Sequence, residues 1–241
     1  MGFYIDMHCH ILPGVDDGAE DEKTTLEMLR MAYDEGIRVI VATPHHHPKR
    51  GMARPAELKE SLVKARDLAK RVGEDLRIIP GMEVYFTHDI LEESGRSSLK
   101  TMGKSHYLLV EFSPGDDFTY IRQGLMQVQM KGYLPILAHV ERYGCMVDHS
   151  EYVEELVDMG ILIQVNAGSI TGVSGRKIRK FIHGLMKEEL VHLVGTDAHN
   201  TGSRSPQMRE SAEYVEKKFG AEYMRKIFFE NGSRVLKDLR L

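Results

Sequence analysis

The sequence of 241 residues predicts an α/β fold, a (β/α) barrel one strand short of the usual eight. Short apolar runs alternate with longer segments of helical period from one end of the chain to the other. Seven such runs occur, and none is followed by the Gly-rich nucleotide turn that an open doubly wound sheet normally carries. The expected strands are 3–7, 38–42, 77–80, 107–110, 134–138, 161–165 and 192–195. Most do not alternate in polarity, as befits strands buried on both faces of a parallel arrangement. Between them lie helical stripes: Leu58, Leu62, Ala65, Ala69 and Val72 after Pro55; Ile121, Leu125 and Val128; Val153, Leu156 and Val157; and Met208, Ala212, Val215 and Phe219 after Pro206. Gly73, Gly132, Gly160 and Gly220 stand where these helices should stop. Met28, Leu29, Ala32 and Tyr33 read as core. No linker, low-complexity tract or repeat interrupts the alternation, so one domain spanning 1–241 is expected.

Composition excludes several classes of function. Lys and Arg number 32 against 36 Asp and Glu, a formal net charge of −4, and no basic tract stands out, so a nucleic-acid partner is not expected. The longest apolar stretches fall well short of the roughly 18 to 20 residues that cross a bilayer, so no membrane insertion is expected. Asp6 and His8 interrupt the run a signal peptide would need, and Met1-Gly2 lacks the Ser or Thr at position 6 of a myristoylation site, which points to the cytosol. The two cysteines, Cys9 and Cys145, read as unpaired thiols, and neither has the Arg six positions on that a thiol phosphatase loop requires. Gly103-Lys104-Ser105 mimics the end of a P-loop, but the required first Gly would be position 98, which is Ser98. No G-x-S-x-G elbow occurs.

In a barrel the residues just past each strand converge on one mouth. Strand one runs into His8-Cys9-His10, the second into His45-His46-His47, the third into Glu83, the fourth into Glu111, the fifth into His139 and the seventh into Asp197-Ala198-His199. Imidazole nitrogens and carboxylate oxygens are ligands for divalent metals. His8 and His10, like Asp197 and His199, are spaced i, i+2, which places both members of a pair on one face of extended backbone. Any one of these residues alone reads as a loop or capping residue; six strand ends together read as a metal site. Cys9, at the intervening position, aims the other way and reads as packing. Of the His45–47 triplet, His45 follows Thr43-Pro44 directly and is the expected ligand. His88, His106, His149, His183 and His192 lie away from the strand ends and read as ordinary surface or core residues.

The segment Ile5-Asp6-Met7-His8-Cys9-His10-Ile11-Leu12-Pro13-Gly14-Val15-Asp16-Asp17-Gly18 resembles the opening of bacterial manganese-dependent protein-tyrosine phosphatases of the PHP (polymerase and histidinol phosphatase) superfamily. Thr43-Pro44-His45-His46, Pro80-Gly81-Met82-Glu83-Val84, Leu109-Val110-Glu111-Phe112, His139-Val140-Glu141-Arg142-Tyr143, Gln164-Val165-Asn166-Ala167-Gly168-Ser169 and Thr196-Asp197-Ala198-His199-Asn200 resemble the later motifs in order. Val140 departs from the Pro often found there and leaves His139 and Arg142 in place. The resemblance implies the PHP fold, a distorted (β/α)7 barrel, with up to three divalent ions. Mn2+ is the expected ion, with Fe, Zn, Co and Mg also admitted. It also implies a substrate, the phosphotyrosine tail of a bacterial tyrosine kinase that controls capsule or exopolysaccharide synthesis. In that frame Glu83 would bridge the ions; His8, His10 and Asp197 would take one, Glu111 and His139 a second, His45 and His199 a third, with Asp17 a further ligand or a proton donor. A hydroxide held by the cluster would attack phosphorus while Arg142 and Arg204 neutralise the phosphoryl oxygens. A small-molecule phosphatase of the same superfamily would use the same ligands, and a non-catalytic phosphoprotein-binding module would be expected to have lost some.

Overall fold

A computed structural model describes residues 3–47, 51–91 and 99–241. Met1-Gly2 and Ser98, which entered the arguments on acylation and the P-loop, lie outside these residues. All seven expected strands form: β1 (Tyr4–Cys9), β2 (Ile37–Ala42), β5 (Arg77–Pro80), β7 (Tyr107–Glu111), β8 (Leu134–Leu137), β9 (Leu162–Asn166) and β10 (Leu193–Gly195). Three further short strands accompany them: β3 (His45–His47), β4 (Gly51–Met52) and β6 (Glu83–Tyr85).

Two sheets result, one ordered β1-β2-β5 and one ordered β10-β9-β8-β7-β6-β3-β4. They are halves of one ring. β2 and β3 are a single barrel strand kinked at Thr43-Pro44, and β5 and β6 another kinked at Pro80-Gly81-Met82, where proline removes a ladder donor. Pairing continues across both kinks, through Gly81 N–H to the Ala42 carbonyl at 2.8 Å and Glu83 N–H to the Pro44 carbonyl at 3.1 Å. At the other seam the extension of β10 lies parallel to β1 through a bridge between Cys9 and Ala198. Asp197 N–H donates to the His8 carbonyl at 2.7 Å and His10 N–H to the Ala198 carbonyl at 2.9 Å. The seven principal strands are thus parallel, as a (β/α)7 barrel requires, and only the two-residue β4 runs antiparallel to its neighbour among the described residues.

The predicted helices follow the stripes: α2 (Pro55–Val72), α3 (Phe118–Met130), α5 (Ser150–Asp158) and α8 (Arg209–Phe219), with Gly73 and Gly220 at C-caps and Gly132 and Gly160 just past them in the left-handed region. Helix α1 (Glu22–Asp34) buries Met28, Leu29 and Ala32, capped by Asp21, whose carboxylate accepts from Thr24 N–H at 2.7 Å. Among the described residues the shell also contains four shorter helices and one longer one: α4 (Gly144–Val147), α6 (Ala167–Thr171), α7 (Arg176–Lys187), α9 (Ala221–Arg225) and α10 (Asn231–Leu236).

Side chains sort by strand face. In β7, Leu108 and Val110 join the apolar layer under the helices, whereas Leu109 belongs to an inner cluster with Val41, Ile136, Leu162 and Leu193. Val235 of α10 belongs to that inner cluster too, and Asn231 Nδ2 donates to the His192 carbonyl at 3.0 Å, so the C-terminal helix lies at the N-terminal ends of the strands. The alternation that turns Leu109 inward turns Glu111 inward one step nearer the opposite end. The mouth is where that polar layer collects.

Candidate metal centre

Glu83 sits at the middle. Its Oε2 lies 2.9 Å from His45 Nδ1 and 3.3 Å from both His8 Nε2 and His10 Nε2, and its Oε1 lies 2.8 Å from His139 Nε2. Burial alone would raise this carboxyl group, but the surrounding imidazoles, His8 foremost, hold it well below the usual carboxylate range. Around it stand four sets of donors, each with one ligand atom per residue within 4.8 Å of the others: His8, His10 and Asp197; His8, Glu83 and His139; His45, Glu83 and Glu111; and His10, Asp17, His45 and His199. The eight residues expected as ligands from the strand ends therefore meet in one place, and Asp17 joins them.

The donor set suits cations. With metal–ligand bonds of about 2.1 Å, neighbouring donors stand about 3.0 Å apart around an octahedron and about 3.4 Å around a tetrahedron. His8 Nε2 and His10 Nε2 are 3.2 Å apart, and Asp17 Oδ1 is 3.2 Å from His45 Nε2 and 3.5 Å from His199 Nε2. Buried polar atoms that lack a well-aligned hydrogen bond gather at the same point: His45 Nδ1 and Nε2, Glu83 Oε2 and His199 Nε2. An uncompensated buried polar atom is costly, and several aimed at one another call for a positive charge between them.

The pairing within the cluster differs from the expected partition in one respect. Glu111 groups with His45 and Glu83, and His139 with His8 and Glu83, while His139 Nε2 and Glu111 Oε1 stay 3.7 Å apart, so Glu83 is common to both sets. A second difference concerns backbone. Asp197 and His199 share a face, as their spacing requires, but Asp197 is left-handed (φ 52°) rather than extended, and so is His139 (φ 33°). Neither is glycine, so each conformation costs on the order of 1–3 kcal/mol and is held by its surroundings. For Asp197 the holding contact is its N–H bond to the His8 carbonyl.

Arg142 and Arg204 reach the same mouth. Both donate through Nη2 to Asp197, Arg204 at 2.9 Å to Oδ1 and Arg142 to Oδ2, while their side chains stay 34% and 38% exposed. Each guanidinium thus has one edge on the cluster and part of its surface open to an incoming anion. Burial opposes ionisation of Asp197, but His8 and Arg142 hold its carboxyl below the usual range.

Other residues of the site escape a reading of strand ends. Asp16, not only Asp17, faces inward: its Oδ2 accepts from His10 Nδ1 at 2.7 Å and His45 N–H at 2.9 Å, and its Oδ1 from Gly18 N–H at 3.0 Å. Although burial pushes the other way, Asp16 and Glu83 raise His10 to about 10, and His10 in turn lowers Asp16 to about 2. The signal was the requirement that a ligating histidine hand its second ring N–H to an acceptor, for which one of the paired acids was available. Gly18 lets the loop close: a Cβ there would lie 2.4 Å from His10 Cβ. Cys9 is fully buried in the outer layer with its thiol pushed up by burial, and Cys145 is free and likewise raised.

Residues 4–237 match the family described as capsular polysaccharide synthesis, CpsB/CapC. The chain belongs to the CpsB/CapC family. It is 34% identical over 241 residues to the tyrosine-protein phosphatase CpsB of Streptococcus pneumoniae, covering 97% of this chain and 98% of that protein. It is 36% identical over 221 residues to the tyrosine-protein phosphatase YwqE of Bacillus subtilis, covering 90% and 86%. A crystal structure from work on YwqE and CpsB, described there as metal-dependent tyrosine phosphatases, superposes with a TM-score of 0.87 at 34% identity over 98% of this chain and 95% of that one. The fold of this CpsB/CapC chain also extends to a phosphotriesterase homology protein of Escherichia coli, with a TM-score of 0.55 at 12% identity over 99% and 96%.

Proposed function

We propose that this chain is a metal-dependent tyrosine-protein phosphatase that removes phosphate from a bacterial tyrosine kinase in capsule or exopolysaccharide synthesis, working as one domain over residues 1–241. The observation that carries the reading is the convergence of His8, His10, Asp17, His45, Glu83, Glu111, His139, Asp197 and His199 around one bridging carboxylate with two arginines at its rim. The relatives named above supply the substrate class.

Glu83 is the shared ligand, and Asp17 is assigned as a ligand rather than an acid because its Oδ1 faces two imidazole nitrogens. Divalent ions bound there, Mn2+ by preference, would supply Lewis acidity and a water of pKa near 7. The protein's own part is electrostatic. Arg142 and Arg204 bind the phosphoryl oxygens and balance the charge that builds on them, while Asp197 keeps both guanidinium groups aimed at the mouth. A tyrosine leaving group, with a reference pKa of about 10, departs with little help from an acid, so neither thiol is required.

The test is turnover of phosphotyrosyl peptide, phosphoserine and histidinol phosphate by purified protein before and after chelation. Activity on phosphotyrosine should vanish on stripping and return better with Mn2+ than with Mg2+, since imidazole-rich sites suit transition metals. Full turnover by protein shown to be metal-free, or a preference for histidinol phosphate, would overturn the proposal.

A further inference from the structure

Of the seven barrel strands, β9 carries no ligand in the set proposed above. Its inward face instead presents two neutral amides, Gln164 and Asn166, fully buried and nearly so, spaced i, i+2 beyond Leu162. Gln164 Oε1 lies 2.8 Å from the backbone N of His139 and 3.1 Å from His8 Nδ1. Gln164 Nε2 lies 3.0 Å from Asn166 Oδ1, and Asn166 Nδ2 lies 3.0 Å from Asp197 Oδ2. Asn166 N–H donates to Glu141 Oε1 at 2.8 Å. One hydrogen-bonded chain therefore joins residues of β1, β8 and the β10 extension through β9.

The direction of every bond in that chain follows from its first member. A backbone N–H can only donate, so the atom of Gln164 facing His139 is its oxygen. The same oxygen faces His8 Nδ1, which must then carry a proton, leaving the lone pair of His8 on Nε2, the atom 3.3 Å from Glu83. With its oxygen so placed, Gln164 turns its NH2 group to Asn166, whose oxygen must accept; Asn166 in turn donates from Nδ2 to Asp197. The end of the chain is a carboxylate, the one partner that accepts without condition.

We infer that Gln164 and Asn166 are positioning residues of the metal centre: Gln164 locks His8 in the Nδ1–H tautomer and Asn166 orients the Asp197 carboxylate, so that β9 presents the ligands of its neighbours. Gln164 also takes the N–H of His139, which like Asp197 in the same site is held in the left-handed region. Acceptors of this kind behind ligating histidines typically govern metal affinity by ten- to a hundredfold.

This inference rests on the metal-centre reading, and the experiment separates the two. In the metal-free protein, at a pH high enough that the His8 ring is neutral, 15N-labelled histidine spectra should show His8 as the Nδ1–H tautomer, and Mn2+ titration by calorimetry gives the affinity. Gln164→Leu should lose the fixed tautomer and bind Mn2+ ten- to a hundredfold more weakly with unchanged circular dichroism. Gln164→Glu, whose oxygen still accepts from both N–H groups, should keep the tautomer and recover part of the affinity, the remainder being lost because Asn166 must turn round and present its oxygen to Asp197. Should the Leu variant fail to fold, Asn166→Ala decides the matter, since Gln164 then loses the acceptor that orients it. A neutral His8 ring with its single proton on Nε2 in the wild type, or unaltered tautomer and affinity in the folded Gln164→Leu or Asn166→Ala variant, would overturn the inference. Wild-type protein that binds no Mn2+ would instead overturn the metal-centre reading.

Discussion

At the scale of single residues the site is a problem of charge, and the two arginines are its most testable part. If each balances charge on the transferring phosphoryl group, Arg142→Ala and Arg204→Ala should each lower kcat/KM by roughly 2 to 4 kcal/mol. Lysine should restore only part of this, since a point charge lacks the planar fork. Steady-state kinetics with metal analysis of the same preparations checks it; a loss matched by missing metal would assign the arginines to holding Asp197 instead. The thiols provide the converse case. Cys9 is buried against the helical layer, so a Cys9→Ala, Cys145→Ser double variant should keep kcat within about tenfold, and a fall beyond about a hundredfold at normal metal content would reveal thiol chemistry. The proposed ligands were legible because imidazoles and acids at strand ends are conspicuous. Asp16 was not, since adjacency in sequence hides which of two acids turns toward His10, and Gln164 and Asn166 were not, because neutral amides in a strand carry no charge signature.

At the scale of elements, the seven strands could be read because buried parallel strands are short apolar runs bounded by turn residues. The kinks that divide β2 from β3 and β5 from β6 could not, since a proline at a strand end looks the same whether the strand stops or bends. The left-handed turn at Asp197 was equally hidden, because the i, i+2 spacing of Asp197 and His199 reads as extended. Where β10 meets β1, the close approach depends on Gly195: a Cβ there would stand 2.5 Å from His8 Cβ and 2.9 Å from His8 N. Gly195→Ala should therefore push the two strands apart, costing about 1–3 kcal/mol as overpacking does. It should also weaken Mn2+ binding through displacement of His8. Urea unfolding and calorimetry on one preparation test both; wild-type values in each would mean that the seam yields without cost. At the start of β10, burial with help from Lys226 pushes His192 down to about 4, while its Nδ1 accepts from Ile163 N–H at 3.1 Å. The unfolded chain, with a pKa near 6.5, then binds more protons between those values, so this group's stabilisation is complete above about pH 7 and is lost as pH falls toward 4. By pH 5 the loss should be about 2 kcal/mol. His192→Asn, which keeps an acceptor and cannot titrate, should show a flatter acid limb in metal-free urea unfolding; parallel limbs would contradict the assignment.

At the scale of the whole molecule, the comparisons place the chain among CpsB/CapC proteins over almost its full length, and no helix among the described residues is long and apolar enough to cross a membrane. The ring closes between its first strand and its last, and the proposed centre draws on both: His8 and His10 from β1, Asp197 and His199 from the β10 extension. These donors are separated by nearly the whole chain, so the loop-closure entropy of bringing them together is met only once the intervening strands are in place. High-affinity metal capture should therefore be a late event in refolding, appearing with the slowest phase rather than with collapse, and bound ions should slow unfolding by holding the first and last strands together. A chain shortened before residue 197 should lose the His8–His10–Asp197 set however well its first strands assemble, so the affinity for metal becomes a measure of whether the ring has closed.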